Sequence, residues 1–217
     1  MSKKALVLGA SGLVGSQLIR QLLESDQYDQ VVSLARRDLD LKHPKLVQEI
    51  LDFDHPDPGK IVGDDLFCAL GTTLRKAGSK EAQYRIDCTY PAEIGRIARQ
   101  NGVKRYLLVS SVGADALSSN FYLRTKGDLE KKIEGLEFEC FVAARPSFLL
   151  GERTEFRLAE KIGIWLAVAL APIIPKKYRG IQAATVARAL IASANSGQRG
   201  TLFLENAELN ERFSHQA

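Results

Sequence analysis

The chain has 217 residues, enough for one domain with a sizeable hydrophobic core or for a core domain with a small appendage. Its 30 basic and 26 acidic side chains give a formal charge of +4, with the two signs interspersed. The sequence has no long run of lysine or arginine residues interleaved with aromatic ones. The absence of such a run argues against a nucleic-acid partner.

The first predicted element is a strand that runs directly into a glycine-rich turn. The apolar run Ala5–Leu8 ends at Gly9, and Ser11, Gly12, Leu13 and Val14 follow before helical periodicity sets in. The first amide groups of such a helix lack intrahelical partners, and the glycines let a pyrophosphate approach the main chain. Ser11 adds a hydroxyl that can donate to phosphate. This context predicts a dinucleotide-binding turn.

The second predicted strand, Gln30–Leu34, is followed by two arginines where an NAD enzyme would place an acidic residue. The guanidinium groups of Arg36 and Arg37 could hold the 2′-phosphate of NADP(H) in a bidentate manner. The alternative is that one or both are solvated surface side chains.

Strand and helix patterns then alternate along the chain. Further strands are predicted over Leu46–Leu51, Asp65–Leu70, Arg105–Val109 and Phe138–Ala144, and helices over the eighties, around Pro91–Ala98 and over Phe121–Ile133. Alternation of this kind predicts parallel βαβ units and one sheet covered by helices on both faces. The fold class is therefore α/β, a Rossmann-type doubly wound parallel sheet with a short C-terminal extension on the substrate side. Ligands bind such sheets beyond the carboxyl ends of the strands.

Polar residues at these strand ends indicate chemistry. Leu70, Gly71 and Thr72 follow the fourth strand, where a cofactor would cross the edge of the sheet, and Ser110 and Ser111 follow the fifth. Tyr122 and Lys126 are four residues apart on a predicted helix and therefore share a face. An ammonium group beside a phenol favours the phenolate, and a tyrosine in that setting can exchange a proton with a carbonyl oxygen.

The region after Gly151 is short. A helix is predicted over residues 152–171, with Phe156 and Trp165 either lining an apolar pocket or belonging to the core, and a second helix and a strand over Gln182–Asn195 and Thr201–Leu204. The apolar segment Ile162–Ile174 falls short of the roughly 20 residues that a membrane span needs. We expect it to form a helix plus a turn, packed on the core or on a second subunit, which leaves a homodimer open.

Cysteine and histidine usage points to a reducing compartment and to no metal. Cys68, Cys88 and Cys140 are odd in number and widely spaced, which indicates reduced and mostly buried thiols. The three histidines are scattered over loops and the tail. With little chain before the first strand to form a secretory signal, we expect a cytoplasmic protein.

Four motifs carry a resemblance to a known family. GASGLVG, VSSVGAD, NFYLRTKGDLE and RPSFLLG resemble the extended or atypical short-chain dehydrogenase/reductase superfamily, and more narrowly its Tat-interacting-protein-like oxidoreductase branch. The resemblance implies that NADP(H) is the cofactor. It assigns the cofactor phosphates to Gly9, Ser11, Gly12, Leu13 and Val14, the adenosine phosphate to Arg36 and Arg37, and the border of the nicotinamide to Pro146, Ser147 and Phe148.

The same resemblance implies a catalytic set. Tyr122 is the general acid/base, Lys126 holds the nicotinamide ribose, and Ser111 orients the substrate, with Ser110 as the alternative. Asp87 departs from relatives that often carry asparagine at the comparable position. The expected organisation is a single domain, 1–217, with a nucleotide-binding core over 1–150 and a small substrate-side extension over 151–217.

Two functions follow as hypotheses. The first is an NADP(H)-dependent oxidoreductase that reduces a small carbonyl compound or oxidises the corresponding alcohol. The second is a protein of the same fold that senses NADP(H) or acts in assembly, with little turnover. The Ser111, Tyr122 and Lys126 set favours the enzyme, because a pure sensor has no need of a tuned phenol.

Overall fold

The computed structural model describes residues 3–151 and 175–214, and a central parallel sheet organises them. The strands are β1 (Lys3–Leu8), β2 (Tyr28–Ala35), β3 (Leu46–Ile50), β4 (Asp65–Cys68), β5 (Arg105–Val109), β6 (Cys140–Arg145), β7 (Leu149–Leu150), β8 (Ile181–Gln182) and β9 (Gly200–Glu205). Seven of them form one sheet in the order β3-β2-β1-β4-β5-β6-β9, with every pairing parallel. Strands β7 and β8 form a separate parallel pair. The predicted Rossmann-type fold is confirmed.

Helices cover both faces of the sheet. They are α1 (Leu13–Glu24), α2 (Leu74–Ala77), α3 (Lys80–Tyr84), α4 (Tyr90–Gln100), α5 (Phe121–Glu134), α6 (Ala183–Asn195) and α7 (Asn206–Phe213), with a π-helical turn, Arg85–Thr89, between α3 and α4. The sheet divides the core because successive strand residues point to opposite faces. Val7 and Val31 pack with α1, α6 and α7, whereas Leu8 and Val32 pack with α4 and α5.

The amino-terminal edge of the sheet is held by a buried carboxylate. Asp65 is fully buried and accepts hydrogen bonds from Tyr28 Oη at 2.6 Å, Arg105 Nη1 at 2.8 Å and Lys3 Nζ at 3.2 Å. These contacts join the first residues of β1, β2, β4 and β5. Charge at this edge therefore has a structural function, and the opposite, carboxyl edge is left for ligands.

The predicted ends of two strands differ from the observed ends, at points where hydrogen bonding to a neighbouring strand stops. The fourth strand was expected to reach Leu70, but β4 ends at Cys68, which pairs with Leu8 and Leu108. Beyond Cys68 its neighbour β1 has already turned away at Gly9, so no ladder continues. The sixth strand starts at Cys140 rather than Phe138, because its partner β5 starts at Arg105, opposite Cys140.

The C-terminal part adds to the same sheet. Strand β9 pairs with β6 along its whole length, and α6 packs against α1, while the proposed division at residue 150 stays a prediction. Helix α7 and the β7–β8 pair were not predicted. The expected helix over 152–171 and the segment Ile162–Ile174 lie outside the described residues. None of the helices within the described ranges has the length and apolar character to cross a membrane.

All three cysteines are buried and unpaired, as the sequence predicted. Cys68 ends β4, Cys88 lies in the π-helical turn and Cys140 starts β6. Burial raises the pKa of each thiol, which keeps it protonated and unreactive.

Candidate active site

The glycine-rich turn lies at the point where the strand order reverses. Gly9 has φ +78°, and a Cβ built on it would lie 2.6 Å from the backbone of Ala69 and Leu70. Its carbonyl accepts the Gly12 amide at 2.9 Å, which closes the turn. Only glycine fits at residue 9, because its φ is positive and the backbone of Ala69 and Leu70 leaves no room for a Cβ. The turn lies at the switch point of the sheet, where doubly wound folds bind ligands.

The start of α1 offers amide groups to this crevice. Gly12 occupies the N-cap position and has no side chain to cap the helix, and Ser11 beside it is exposed. The first N–H groups are therefore available to an anion. A cavity of about 180 Å³ adjoins the turn, lined by Ala10, Ser11, Ser16, Ile19, Leu39 and Leu41. Its apolar walls and its hydroxyl groups suit an adenosine moiety.

Arg36 and Arg37 follow β2, next to β1 in the sheet, and both side chains are exposed. Neither guanidinium makes a hydrogen bond or an ion pair with another described residue. The loop that they begin supplies Leu39 and Leu41 to the cavity beside the glycine turn. Within the described part of the chain, both arginines are exposed and unpaired beside the glycine turn.

Helix α5 brings Lys126 to the end of β5. Asn120 caps the helix, its Oδ1 accepting from the amides of Tyr122 at 2.9 Å and Leu123 at 3.2 Å. Lys126 is 5% exposed, and its Nζ donates to the carbonyl of Val109 at 3.3 Å. Tyr122, one turn earlier, is 39% exposed. The ammonium group is therefore buried at the carboxyl edge, while Tyr122 is exposed.

Gly71 lies close to both Lys126 and a buried carboxyl group. A Cβ at Gly71 would lie 3.7 Å from Asp87 Oδ1 and 3.8 Å from Lys126 Nζ. Asp87 is fully buried in the π-helical turn, accepts the Thr72 amide at 2.6 Å and contacts Gln83 Nε2 at 3.5 Å. Burial raises the pKa of Asp87, and the Lys126 charge opposes that rise without cancelling it. Asp87 thus fixes the backbone after β4 at the place where the cofactor was expected to cross.

The two serines after β5 differ in their surroundings. Ser110 Oγ is buried and has no hydrogen-bond partner among the described residues. Ser111 is half-buried, and among the described residues its Oγ donates only to the Val112 carbonyl, at 3.4 Å. The Ser111 hydroxyl is the more accessible of the two, and the Ser110 hydroxyl is the one that lacks a partner.

The segment after β6 lies beside this loop. The Pro146 carbonyl accepts the Val112 amide at 2.9 Å, which ties the ends of β5 and β6 together. The Ser147 amide donates to Asn206 Oδ1 at 2.9 Å, and the Phe148 ring is 58% exposed. Arg145, just before, binds both Glu130 oxygens at 2.7 and 3.0 Å and so fixes β6 to α5.

The structure therefore brings the predicted residues to one edge of the sheet: the glycine turn, both arginines, Leu70–Thr72, Ser110–Ser111, Lys126 and Pro146–Phe148. Sequence reasoning gave Asp87 no role and did not single out Asn206. The sole signal for Asn206 was a polar residue directly after the last strand. Asp87 could be noted as a departure, but its burial depends on how the π-helical turn packs.

A glycine-rich βα turn at the switch point of a parallel sheet defines the class of Rossmann-type dinucleotide-binding proteins. Within that class, the chain belongs to the NAD dependent epimerase/dehydratase family, whose model matches residues 5–120. The resemblance to extended short-chain dehydrogenases/reductases and to Tat-interacting-protein-like relatives is confirmed.

Curated relatives extend the match to nearly the whole chain. Protein HTATIP2 of Rattus norvegicus is 35% identical over 209 residues, which cover 91% of this chain and 84% of the relative. Protein FMP52, mitochondrial, of Candida albicans is 34% identical over 215 residues, covering 90% of each.

Solved structures share the fold. MoeE5 in complex with UDP-glucose and NAD superposes with a TM-score of 0.73 at 20% identity, covering 93% of this chain and 75% of MoeE5. The Bordetella bronchiseptica enzyme WbmH in complex with NAD+ gives a TM-score of 0.69 at 16% identity, covering 94% and 76%.

One expectation is corrected by these relatives. A cytoplasmic location was expected, but several FMP52 relatives are named mitochondrial, which contradicts it. The physical reason is that buried, reduced cysteines suit any reducing compartment and do not single out the cytoplasm.

Proposed function

We propose that this protein is an NADP(H)-dependent oxidoreductase that reduces a small carbonyl compound. The observation that carries the proposal is the placement of Lys126, whose buried Nζ lies at the end of β5 on the same edge as the glycine turn. A buried ammonium group there, one helical turn from an exposed phenol, has a ready use in proton transfer coupled to hydride transfer.

Each residue of the proposed set has a distinct task. NADPH, when bound, supplies a hydride to the carbonyl carbon. Tyr122 Oη donates its proton to the carbonyl oxygen, and Ser111 Oγ donates a hydrogen bond to the same oxygen and orients the substrate. The Lys126 ammonium holds the nicotinamide ribose.

The choice of NADP(H) over NAD(H) rests on Arg36 and Arg37. Both are exposed and unengaged by other described residues, at the end of the strand next to β1. A 2′-phosphate between them would receive charge-assisted, bidentate hydrogen bonds. An acidic residue, which would bind a free ribose and repel a phosphate, does not stand at either position.

The remaining cofactor contacts follow the crevice. The amides of Leu13 and Val14 and the Ser11 hydroxyl would hold the pyrophosphate, while Gly9 and Gly12, whose amide already donates to the Gly9 carbonyl, would allow its approach. Leu70, Gly71 and Thr72 would lie beneath the cofactor where it crosses β4. Pro146, Ser147 and Phe148 would border the nicotinamide ring.

The comparisons support a nicotinamide cofactor and leave the substrate to this proposal. The names of the relatives HTATIP2 and FMP52 state no substrate. MoeE5 is described in complex with a nucleotide sugar, and the match covers 75% of MoeE5.

A binding screen followed by an assay tests the proposal. Thermal shift and titration with NADPH and NADH should show binding with a preference for NADPH, and absorbance assays with a panel of aldehydes and ketones should show NADPH oxidation. Tight NADPH binding without turnover on the panel would favour the sensing or assembly hypothesis. No binding of either cofactor would contradict the proposal.

A further inference from the structure

Asn206 is a fully buried amide at the carboxyl edge of the sheet. It is the first residue of α7 and follows β9 directly. The preceding residue, Glu205, pairs with Arg145 at the end of β6, with Nη1 and Oε1 2.9 Å apart. Asn206 therefore lies next to the segment that begins at Pro146.

The Asn206 side chain connects two separate parts of the chain. Its Oδ1 accepts the Ser147 amide at 2.9 Å, and its Nδ2 donates to the carbonyls of Arg179 at 2.8 Å and Lys176 at 3.2 Å. Both N–H groups and the oxygen are thus used, as a buried amide requires. Ser147 Oγ also donates to the Arg179 carbonyl.

The two connected parts, the segment after β6 and the segment before α6, continue into the parallel strands β7 and β8. The amide of Ile181 donates to the Phe148 carbonyl at 2.9 Å, and β7 then pairs with β8. At the start of the first of these parts, the Pro146 carbonyl accepts a hydrogen bond from the Val112 amide. Pro146–Phe148 is consequently held between the loop after β5 and Asn206.

We propose that Asn206 is a positioning residue for the nicotinamide end of the cofactor site, acting through Ser147 and the backbone of Pro146–Phe148. This inference rests on the proposed function, in which that segment borders the nicotinamide. Asn206 touches neither cofactor nor substrate itself. Its removal should weaken contacts at the nicotinamide end and leave the adenosine end, at Gly12 and Arg36–Arg37, unchanged.

The test compares the affinity for the complete cofactor with the affinity for its adenosine part alone. Affinities for NADPH and for adenosine 2′,5′-bisphosphate are measured by titration, the second ligand reporting on the adenosine end alone. In Asn206→Asp, an ionised carboxylate would face two carbonyl oxygens, so we expect NADPH to bind about tenfold more weakly at neutral pH, with the bisphosphate unaffected.

The pH dependence of the ratio of the two affinities is a second readout, one that a general loss of stability would not change. Once protonated, the carboxyl group introduced by Asn206→Asp can donate one hydrogen bond again, so the ratio of the two affinities should return towards the wild-type value between about pH 8 and about pH 5. The bisphosphate also has a 5′-phosphate that titrates in this range, so the ratio for the variant is divided by the ratio for the wild type at the same pH, which cancels the titration of both phosphates. Ser147→Ala, which removes one of the hydrogen bonds, should give a smaller loss and serves as a milder second variant.

Asn101→Asp is the control for the same substitution at an exposed amide. Asn101 Nδ2 also donates to two carbonyls, those of Pro58 at 2.8 Å and Ile61 at 2.9 Å, far from the site at the end of α4. It should leave both affinities unchanged. Equal losses for both ligands in Asn206→Asp, or a ratio insensitive to pH, would overturn the inference alone. A wild-type protein that binds neither ligand would overturn the proposed function and, with it, this inference.

Discussion

Arg36 and Arg37 give the sharpest prediction at the scale of single residues. Replacing both with alanine removes the groups proposed to hold the 2′-phosphate, so NADPH affinity should fall about 30-fold while NADH affinity hardly changes, a magnitude expected for charge-assisted hydrogen bonds that are partly screened by solvent. Titration with both cofactors measures this. Equal affinities for NADPH and NADH in the wild-type protein would show that the two arginines are ordinary surface residues.

Asp87 gives a prediction about stability and pH. Burial raises its pKa, so the folded state holds the proton more tightly than the unfolded state. The free energy of unfolding should therefore fall as the pH rises from about 3.9, the ordinary value for aspartate, up to the raised value. Asp87→Asn keeps an acceptor for the Thr72 amide but cannot ionise.

The asparagine variant should accordingly be more stable than the wild type at neutral pH, and the difference should shrink towards pH of about 4. Urea denaturation across this range is the measurement. Asp29→Asn, at an exposed position on β2, is the control for the change in net charge. Stability curves for Asp87→Asn and the wild type that run parallel at every pH would contradict the argument.

Candidate site residues could be predicted from the sequence where they belong to a local structure, such as a turn or one face of a helix. The glycines of the first turn and the spacing of Tyr122 and Lys126 are visible in the sequence because a turn and a helix face are local structures. Asp87 and Asn206 act through burial and through partners distant in sequence, such as Lys126 and Arg179. No local pattern encodes those contacts.

At the scale of elements, Gly127 decides how closely α5 approaches the loop after β5. A Cβ at Gly127 would lie 2.7 Å from the Cα of Asp115. Alanine favours a helix interior over glycine by about 1 kcal/mol. We nevertheless expect Gly127→Ala to destabilise the protein by about 1–3 kcal/mol, because backbone must move, and to slow turnover by displacing the Ser111 loop.

Gly135→Ala is the comparison for this helix. Gly135 follows α5 with a φ of −67°, and an added Cβ would lie 3.5 Å from the Lys131 carbonyl, an ordinary contact. That variant should be neutral or slightly more stable in urea denaturation. If Gly127→Ala proved equally neutral, the close approach of loop and helix would be refuted.

Element boundaries were predicted best where both ends are set by local signals. Strand β5 was predicted as Arg105–Val109 and is observed with those bounds. Strands β4 and β6 were predicted too long at the end where a neighbouring strand stops pairing. The two-residue strands β7 and β8 exist only because distant segments meet, so no periodicity could indicate them.

At the scale of the whole molecule, the two edges of the sheet have separate tasks. Asp65 joins four strands at the amino edge, and Asp65→Ala would remove the acceptor of Tyr28 and Arg105 and one of the three acceptors of Lys3. We expect a loss of about 3 kcal/mol in the free energy of unfolding, as for other broken buried pairs. NADPH affinity of the folded variant should stay at the wild-type value, because the proposed cofactor site is at the opposite edge.

Urea denaturation and cofactor titration on the same preparation measure both quantities. Asp29→Ala, which removes an exposed carboxylate from β2, is the control. A large loss of NADPH affinity in folded Asp65→Ala would show that the two edges are coupled and not independent.

The fold as a whole followed from the sequence because alternating strands and helices leave few topologies for a parallel sheet. The network around Asp65 did not, since its members come from the starts of four different strands. The prediction of a cytoplasmic location was wrong, because buried, reduced cysteines do not distinguish one reducing compartment from another.

The central claim is that Tyr122 transfers the proton in an NADPH-dependent reduction. Tyr122→Phe removes one exposed hydroxyl and keeps the ring, so NADPH should bind almost as tightly as to the wild type. The rate of carbonyl reduction should fall by about 10²–10⁴-fold, the usual contribution of a positioned general acid. Cofactor affinity and rate on the best carbonyl substrate, measured on this variant, test the claim most directly. Full activity in Tyr122→Phe would contradict it.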